Sequence, residues 1–128
     1  MDDIIRDFLA EATDSMDALD RSLVRLEETP NDPELLSEIF RVMHTIKGTC
    51  GFLGLQRLAS VAHAAEDVLG QFRDGALNPS QDSVSAILQA IDCIKTLLGQ
   101  LATLGREPPG DDAPLVERLK AMARGGHD

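Results

Sequence analysis

The chain has 128 residues and a net charge of −10, with 43% hydrophobic residues and only 3% aromatic ones. This length suits one compact domain, and the composition is that of an ordinary globular protein with an aliphatic core. An acidic chain without a cluster of basic residues repels phosphate backbones, which argues against nucleic acid as a partner. Because no apolar run approaches roughly 18 residues and no signal peptide precedes the first helix, we expect a cytoplasmic domain without membrane insertion.

Two cysteines, Cys50 and Cys93, each fall within a helical pattern of apolar residues. Their spacing matches neither a zinc site nor a redox motif. We therefore interpret both as small, buried hydrophobic residues of a protein from a reducing compartment.

A long first helix is predicted between an N-cap at Asp2 or Asp3 and the segment Thr29-Pro30. Its apolar residues recur in alternating steps of three and four, which is typical of one buried helix face. This stripe consists of Ile5, Phe8, Leu9, Ala12, Met16, Leu19, Leu23 and Leu26.

The second helix is predicted to start at Pro33, with Asp32 as its N-cap, because proline is tolerated in the first helical turn. The segment Gly51–Gly54 carries two glycines and is predicted to form the turn that follows. The apolar stripe of this helix consists of Leu36, Ile39, Met43, Ile46 and Cys50.

Three further helices follow the same pattern. The third is predicted to end at Asp74, with Gly75 just past its end, and the fourth to run from around Ser80 to about Leu104. A loop over residues 105–114 precedes a short fifth helix, and the last four residues are predicted to fray. The apolar positions of the third helix are Leu55, Leu58, Ala62, Ala65, Leu69 and Phe72. Those of the fourth helix are Val84, Ile87, Ile91, Ile94, Leu98 and Leu101, and those of the fifth are Leu115, Leu119 and Met122.

Amphipathic helices joined by short connections fold most simply as an antiparallel bundle. We therefore predict an all-α protein, an antiparallel four-helix bundle with a fifth C-terminal helix. Residues 1–104 form the bundle, and residues 105–128 form a loop and a short accessory helix, either packed on the bundle or leading toward a linker.

His44 is the first candidate functional residue. At about 100° per residue, it is rotated well away from the apolar stripe of the second helix and shares its side with Ser37, Arg41, Gly48 and Gly51. Its imidazole is therefore predicted to stand on the bundle surface, and these four residues are candidates for a surface that faces a partner.

Gly48 and Gly51 lie four and seven residues after His44, and each costs roughly 0.8–1 kcal/mol relative to alanine inside a helix. One interpretation is clearance, which lets a partner's pocket reach the imidazole. The other is that Gly48 allows close helix packing while Gly51 merely frays the helix end. The spacing alone favours neither.

Lys47, His63 and Glu66 are the candidate neighbours of His44. Lys47 lies three residues after His44. If His44 carried a phosphoryl group, the Lys47 ammonium could pair with its oxygens. If the second and third helices form an antiparallel hairpin, His63 and Glu66 reach a similar height to His44. A carboxylate beside an imidazole accepts the Nδ1 hydrogen, fixes the tautomer and aims Nε2 outward as a nucleophile.

The run FRVMHTIKGTCGFLGLQRLASVAHAAEDVLGQFRDG resembles the N-terminal histidine phosphotransfer (HPt) domain of the CheA family of chemotaxis histidine kinases, and the first helix resembles the family's first helix. The shared signature is an aromatic residue, His-x-x-Lys-Gly, a Gly-Phe-x-Gly turn and His-x-x-Glu. Its residues here are Phe40, His44, Lys47, Gly48, Gly51, Phe52, Gly54, His63 and Glu66.

This resemblance implies that His44 is the phosphorylated nucleophile and that Glu66 orients its ring. It implies that Lys47 balances the phosphoryl charge, that His63 supports the site and that the fold is a five-helix HPt bundle. The phosphoryl group would come from ATP through a CheA-type kinase domain. It would pass to the aspartate of a response regulator receiver domain, CheY-like or CheB-like, that binds Mg²⁺.

The chain has no P-loop motif and no room for an ATP-binding domain. It is therefore expected to be a carrier without a cofactor of its own, a fragment of a protein histidine kinase rather than a kinase by itself. Two alternatives stay open. One is a metal-binding bundle using His44, His63 and Glu66, although the spacing is unusual and the inward stripes are aliphatic, so that we expect no metal. The other is a structural helical interaction module without chemistry.

Overall fold

The structure, a computed structural model, describes residues 3–124 and contains five α-helices and no strand within that range. The predicted all-α antiparallel bundle is confirmed. The alternative N-cap Asp2 and the predicted fraying of residues 125–128 lie outside the described residues. The helices are α1 (Asp3–Glu28), α2 (Pro33–Leu53), α3 (Gln56–Arg73), α4 (Gln81–Leu104) and α5 (Ala113–Ala123).

Four helices surround one core. α1 packs against α2 and α4, and α3 packs against the same two helices from the other side. α5 packs on α3 and α4 and buries Val116 and Leu119 there. The accessory helix therefore lies on the bundle, while the domain boundary at residue 104 stays a prediction.

The core is aliphatic, as the composition predicts, and Cys50 belongs to it with no exposed surface. Burial disfavours a charged thiolate and raises the pKa of Cys50 to about 12, so this thiol is neutral. The expectation for Cys93 was wrong, because its side chain is only partly buried. Its Sγ lies 3.8 Å from Oδ1 of Asp112, at the edge of α4 that faces the loop before α5.

α4 is long and apolar enough to cross a membrane by length and composition alone. Its apolar side chains, among them Ile87, Ile91 and Ile94, are fully buried in the bundle. Because α4 contacts α1, α3 and α5, its hydropathy is accounted for by its place in the core.

The turn between α2 and α3 sets the register of the site. The sequence predicted a turn from Gly51 onward, but α2 continues through Leu53, and only Gly54 adopts a left-handed conformation, with φ of 77°. A single interior glycine weakens a helix without ending it when buried neighbours such as Cys50 hold it to the core. The chain then reverses within two residues, so α2 and α3 lie side by side.

The loop between α4 and α5 supplies the cap that α3 lacks. Leu55, at the N-cap position of α3, makes no side-chain hydrogen bond to the helix. The Glu107 carboxylate instead accepts hydrogen bonds from the backbone N–H groups of Arg57, at 3.2 Å, and Leu58, at 2.7 Å. A negative charge at this position also favours the positive end of the helix dipole.

The Arg57 side chain fastens the same loop. Its Nε and Nη2 donate to the two carboxylate oxygens of Asp112 at 2.9 and 2.8 Å, and its Nη1 donates to the Pro108 carbonyl oxygen at 2.8 Å. The hydrogen bond from Arg57 lowers the pKa of Asp112 below its ordinary value of 3.8, although burial acts in the opposite direction. Asp112 is therefore ionised at neutral pH.

Replacing Arg57 with glutamine should lower the free energy of unfolding at pH 7 by about 1.5–3 kcal/mol, because a part-buried carboxylate loses its charged partner. A lowered carboxyl pKa stabilises the fold above the ordinary value and stops doing so as pH falls through the folded-state value. The difference between the two proteins should therefore shrink below about pH 3.8. Urea unfolding across pH measures both effects.

Arg118→Gln is the matched control, because Arg118 pairs with the exposed Asp82 at 2.9 Å. An exposed pair of this kind contributes about 0–1 kcal/mol. Equal stability of Arg57→Gln and wild type at pH 7 would show that the hydrogen bonds of Arg57 to this loop do not stabilise the fold.

Candidate functional site

His44 projects from α2 onto the surface, and its side chain is 61% exposed. Arg41, Gly48 and Gly51, on the same side of the helix, are exposed, and Ser37 is half-buried. The imidazole is therefore open to solvent and to a partner.

Glu66 on α3 meets His44 across the hairpin. The Glu66 side chain is only 8% exposed, and its Oε2 is hydrogen-bonded to His44 Nδ1. An ionised carboxylate can only accept hydrogen bonds, so the hydrogen of a neutral imidazole lies on Nδ1. The lone pair of Nε2 is then left free as a nucleophile.

Lys47 holds the other oxygen of the same carboxylate. Its Nζ donates to Glu66 Oε1 at 2.8 Å, which leaves two ammonium hydrogens for other acceptors. Burial raises the pKa of Glu66, but the hydrogen bonds and charges of Lys47 and His44 outweigh it, so the pKa lies below its ordinary value. Glu66 is thus ionised at neutral pH despite its burial.

His63 lies on the exposed side of α3, where its Nε2 is 3.6 Å from Oδ1 of Asp67. His63, Glu66 and Asp67 each offer one possible metal-ligating atom within 4.8 Å of the others. This trio differs from the one the sequence suggested, because Asp67 takes the place of His44. In the structure both Glu66 oxygens are hydrogen-bonded, one to His44 and one to Lys47, and His63 lies beside Asp67.

The structure bears on the packing interpretation of the glycines. A β-carbon at Gly48 or Gly51 would meet no atom within 4 Å beyond the adjoining residues and backbone of α2 itself. Close helix packing therefore does not require Gly48, and Gly51 lies within α2 rather than beyond its end. Both glycines leave open space on the exposed side of α2, and the clearance interpretation stays a prediction.

Three features were not predicted from the sequence: a ring stacked on His44, a cation over the Phe40 ring and one exposed aromatic side chain. Phe40, known only as part of the signature, stacks on His44 with ring centroids 6.1 Å apart. The guanidinium of Arg73, at the end of α3, lies over the Phe40 ring. Phe52, beside Gly51, is 83% exposed. The four-residue spacing of Phe40 and His44 could have indicated the first contact, whereas the others needed the helix arrangement.

A comparison with protein-family models matches residues 3–123 to the Hpt domain. The chain belongs to the Hpt domain family. Among curated proteins, it is 42% identical to the sensor histidine kinase CheAY of Helicobacter pylori over 123 residues, 95% of this chain and 15% of that protein. It is 35% identical to the chemotaxis protein CheA of Halobacterium salinarum, over 95% of this chain and 18% of that protein. The chain thus spans less than a fifth of these relatives' length.

Solved structures agree with this assignment. The phosphorylated P1 domain of CheA3, in complex with CheY6 from R. sphaeroides, is 27% identical to this chain, covers 97% of it and 98% of that chain, and superposes with a TM-score of 0.85. The histidine phosphotransfer domain of CheA is 25% identical, with 97% and 91% covered and a TM-score of 0.82. The resemblance to the CheA phosphotransfer domain is therefore confirmed.

The His44–Glu66 hydrogen bond predicts that neutral His44 exists as the Nδ1–H tautomer. Glu66→Ala should convert it to a mixture of tautomers, because the acceptor that holds the hydrogen on Nδ1 is gone. Long-range ¹H–¹⁵N correlation spectra of the neutral ring distinguish the two nitrogens.

Asp67→Asn is the matched control, because Asp67 is the exposed neighbour of Glu66 and contacts His63 rather than His44. Its spectrum should retain the Nδ1–H form. A single Nδ1–H tautomer in Glu66→Ala would show that another group sets the tautomer.

Proposed function

We propose that this chain is the phosphocarrier domain of a CheA-type chemotaxis kinase, with His44 as the residue that carries the phosphoryl group. The observation that carries the proposal is an exposed imidazole whose Nδ1 is bound by a buried, ionised glutamate. This arrangement supplies a nucleophilic nitrogen that faces outward and a negative charge behind the ring. The similarity to the sensor histidine kinase CheAY and to the chemotaxis protein CheA supports the proposal.

In the loading step, the lone pair of His44 Nε2 attacks the γ-phosphorus of ATP held by a separate kinase domain. The N–P bond forms, the P–O bond to ADP breaks, and the electron pair leaves with ADP. The ring gains positive charge as Nε2 bonds phosphorus. The ionised Glu66 carboxylate at Nδ1 stabilises that charge, as the aspartate does in a Ser-His-Asp triad.

In the transfer step, a carboxylate oxygen of a receiver-domain aspartate attacks the phosphorus. The N–P bond breaks, and its electron pair returns to Nε2, so His44 is regenerated. Mg²⁺ on the receiver and ATP on the kinase domain belong to the partners, and this chain needs no cofactor of its own. The receiver would be CheY-like or CheB-like, and both partners act in the cytoplasm.

Lys47 and His63 are assigned supporting parts. One ammonium hydrogen of Lys47 binds Glu66, and the remaining two can pair with phosphoryl oxygens. His63 adds an exposed imidazole beside Glu66. The ammonium of Lys47 would offset phosphoryl charge that an acidic domain otherwise repels, and His63 would support the site as a neighbouring polar group.

The surface around His44 suits a partner that must reach the imidazole. Gly48 and Gly51 clear space along α2, and Ser37 and Arg41 offer polar groups toward its start. Exposed Phe52 adds an aromatic contact of the kind that often anchors an interface.

Incubation with radiolabelled ATP and a CheA-type kinase domain should label the wild-type protein with a phosphoramidate, which is labile in acid and stable in base. His44→Gln, folded by circular dichroism, should carry no label, because the nucleophile is absent. His127→Gln is the matched histidine control and should be labelled, since the proposal gives it no part. Label on His44→Gln, or none on wild type with several kinase domains, would reject the proposal.

Glu66→Ala should slow loading on the order of 100-fold, because the ring loses both its tautomer and its charge stabilisation. Since Glu66 is buried, its unfolding is measured in parallel, and Asp67→Asn serves as an exposed acidic control. A folded Glu66→Ala protein that loads at the wild-type rate would remove Glu66 from the mechanism.

A further inference from the structure

The hydrogen bond to Glu66 leaves part of the His44 geometry undetermined. It fixes the direction of Nδ1, but the ring can still tilt about that bond. With 61% of its side chain exposed, His44 has few other neighbours to restrain it. An in-line attack by Nε2 needs the ring plane to be set as well, because misplaced reacting groups lose rate steeply.

Phe40 supplies a flat surface for the ring. It lies one helical turn before His44 on α2, and the two ring planes are within 9° of parallel at a centroid distance of 6.1 Å. Offset parallel stacking is a favoured geometry for aromatic rings at such distances. This contact opposes the tilt that the Glu66 hydrogen bond permits.

Phe40 is itself held by α3 from two positions. Cζ of Arg73 lies 4.1 Å from the Phe40 ring centroid, within range of a cation–π interaction. At Gly70, a β-carbon would lie 3.4 Å from Cε2 of Phe40, so the ring rests against bare helix backbone. The Nε of Arg73 also lies 3.4 Å from Oδ1 of Asp74, which tethers the guanidinium.

We infer that Phe40 and Arg73 are positioning residues for the proposed phosphotransfer, and that their stack fixes the plane of the His44 imidazole. The inference rests on the proposed function of His44. Neither residue touches the reacting atoms: Arg73 acts on Phe40, and Phe40 acts on His44.

A purely structural role for Phe40 would be that of a half-buried hydrophobic residue packed against the core. Leucine would fill such a role, whereas a ring-plane role requires a flat side chain. Likewise, glutamine keeps the polarity and much of the length of Arg73 without its charge. The substitutions Phe40→Leu and Arg73→Gln therefore separate the two roles, and Phe40→Tyr and Arg73→Lys test rescue.

The first readout is the His44 ring itself, from side-chain scalar couplings and ring-current shifts in NMR spectra. Wild type and Phe40→Tyr should show one dominant rotamer, and Phe40→Leu should show averaging over several. The second readout is the loading rate, which should fall on the order of tenfold in Phe40→Leu and about threefold in Arg73→Gln. Tyrosine and lysine at these positions should restore most of the loss.

Two controls match these variants. Ile91→Val removes one methylene group from a fully buried side chain of α4, which packs on α1, α3 and α5. It reports any effect that lower stability alone has on loading. Lys120→Gln removes an exposed positive charge on α5 and reports any effect of net charge. Both should load at the wild-type rate with one His44 rotamer.

A folded Phe40→Leu protein with one His44 rotamer and wild-type loading would overturn the inference, as would an equal slowing in Ile91→Val. If wild type itself fails to load, the proposed function fails. The rotamer spectra then still decide the positioning of the ring, since they need no kinase, so the two failures are distinguishable.

Discussion

The hydrogen bond between His44 and Glu66 is the interaction on which the account of this protein depends. It joins an exposed side chain of α2 to a buried one of α3, and it leaves Nε2 as the free nitrogen. A buried carboxylate would ordinarily resist ionisation, but Lys47 and His44 keep Glu66 charged. One buried charge thereby serves two neighbours, fixing the imidazole and anchoring the ammonium.

The rest of the bundle holds this pair in register. The two-residue reversal at Gly54 and Leu55 makes α2 and α3 antiparallel neighbours, so residues at similar distances from the turn meet. Hydrogen bonds between α3 and the loop before α5 hold the beginning of α3, at the same end of the hairpin. Arg57 of α3 binds Asp112, and Glu107 of the loop accepts from the backbone N–H of Leu58. Lateral packing of α1, α4 and α5 completes the core, and the surface around His44 is left open.

Much of this could be predicted from the sequence. The three- and four-residue steps of apolar side chains report directly on buried helix faces, so the helices and the bundle were predicted. The same periodicity put His44 on the surface and Glu66 within reach of it. The end of α2 was misplaced, because a local glycine signal at Gly51 competes with buried neighbours whose packing only the tertiary structure reveals.

Other features carry no local signal. Arg57 and Asp112 are 55 residues apart, and Phe40 and Arg73 lie on different helices, so their contacts follow from the exact rotation of one helix against another. The burial of Glu66 belongs to the same class, since a carboxylate beside an apolar stripe is usually solvated. The burial of a polar side chain such as Glu66 can be inferred only when the residues that hydrogen-bond to it are known.

The position of phosphorus on the His44 ring, read from ¹H–³¹P correlation spectra after loading by a kinase domain, shows directly whether Nε2 is the nucleophile. Phosphorus on Nε2 is three bonds from both carbon-bound ring hydrogens, whereas phosphorus on Nδ1 is three bonds from Hε1 alone. Correlations to both hydrogens of His44 are expected, because Nδ1 is occupied by Glu66. A correlation to Hε1 alone, or phosphorus on another residue, would contradict this assignment of the nucleophile.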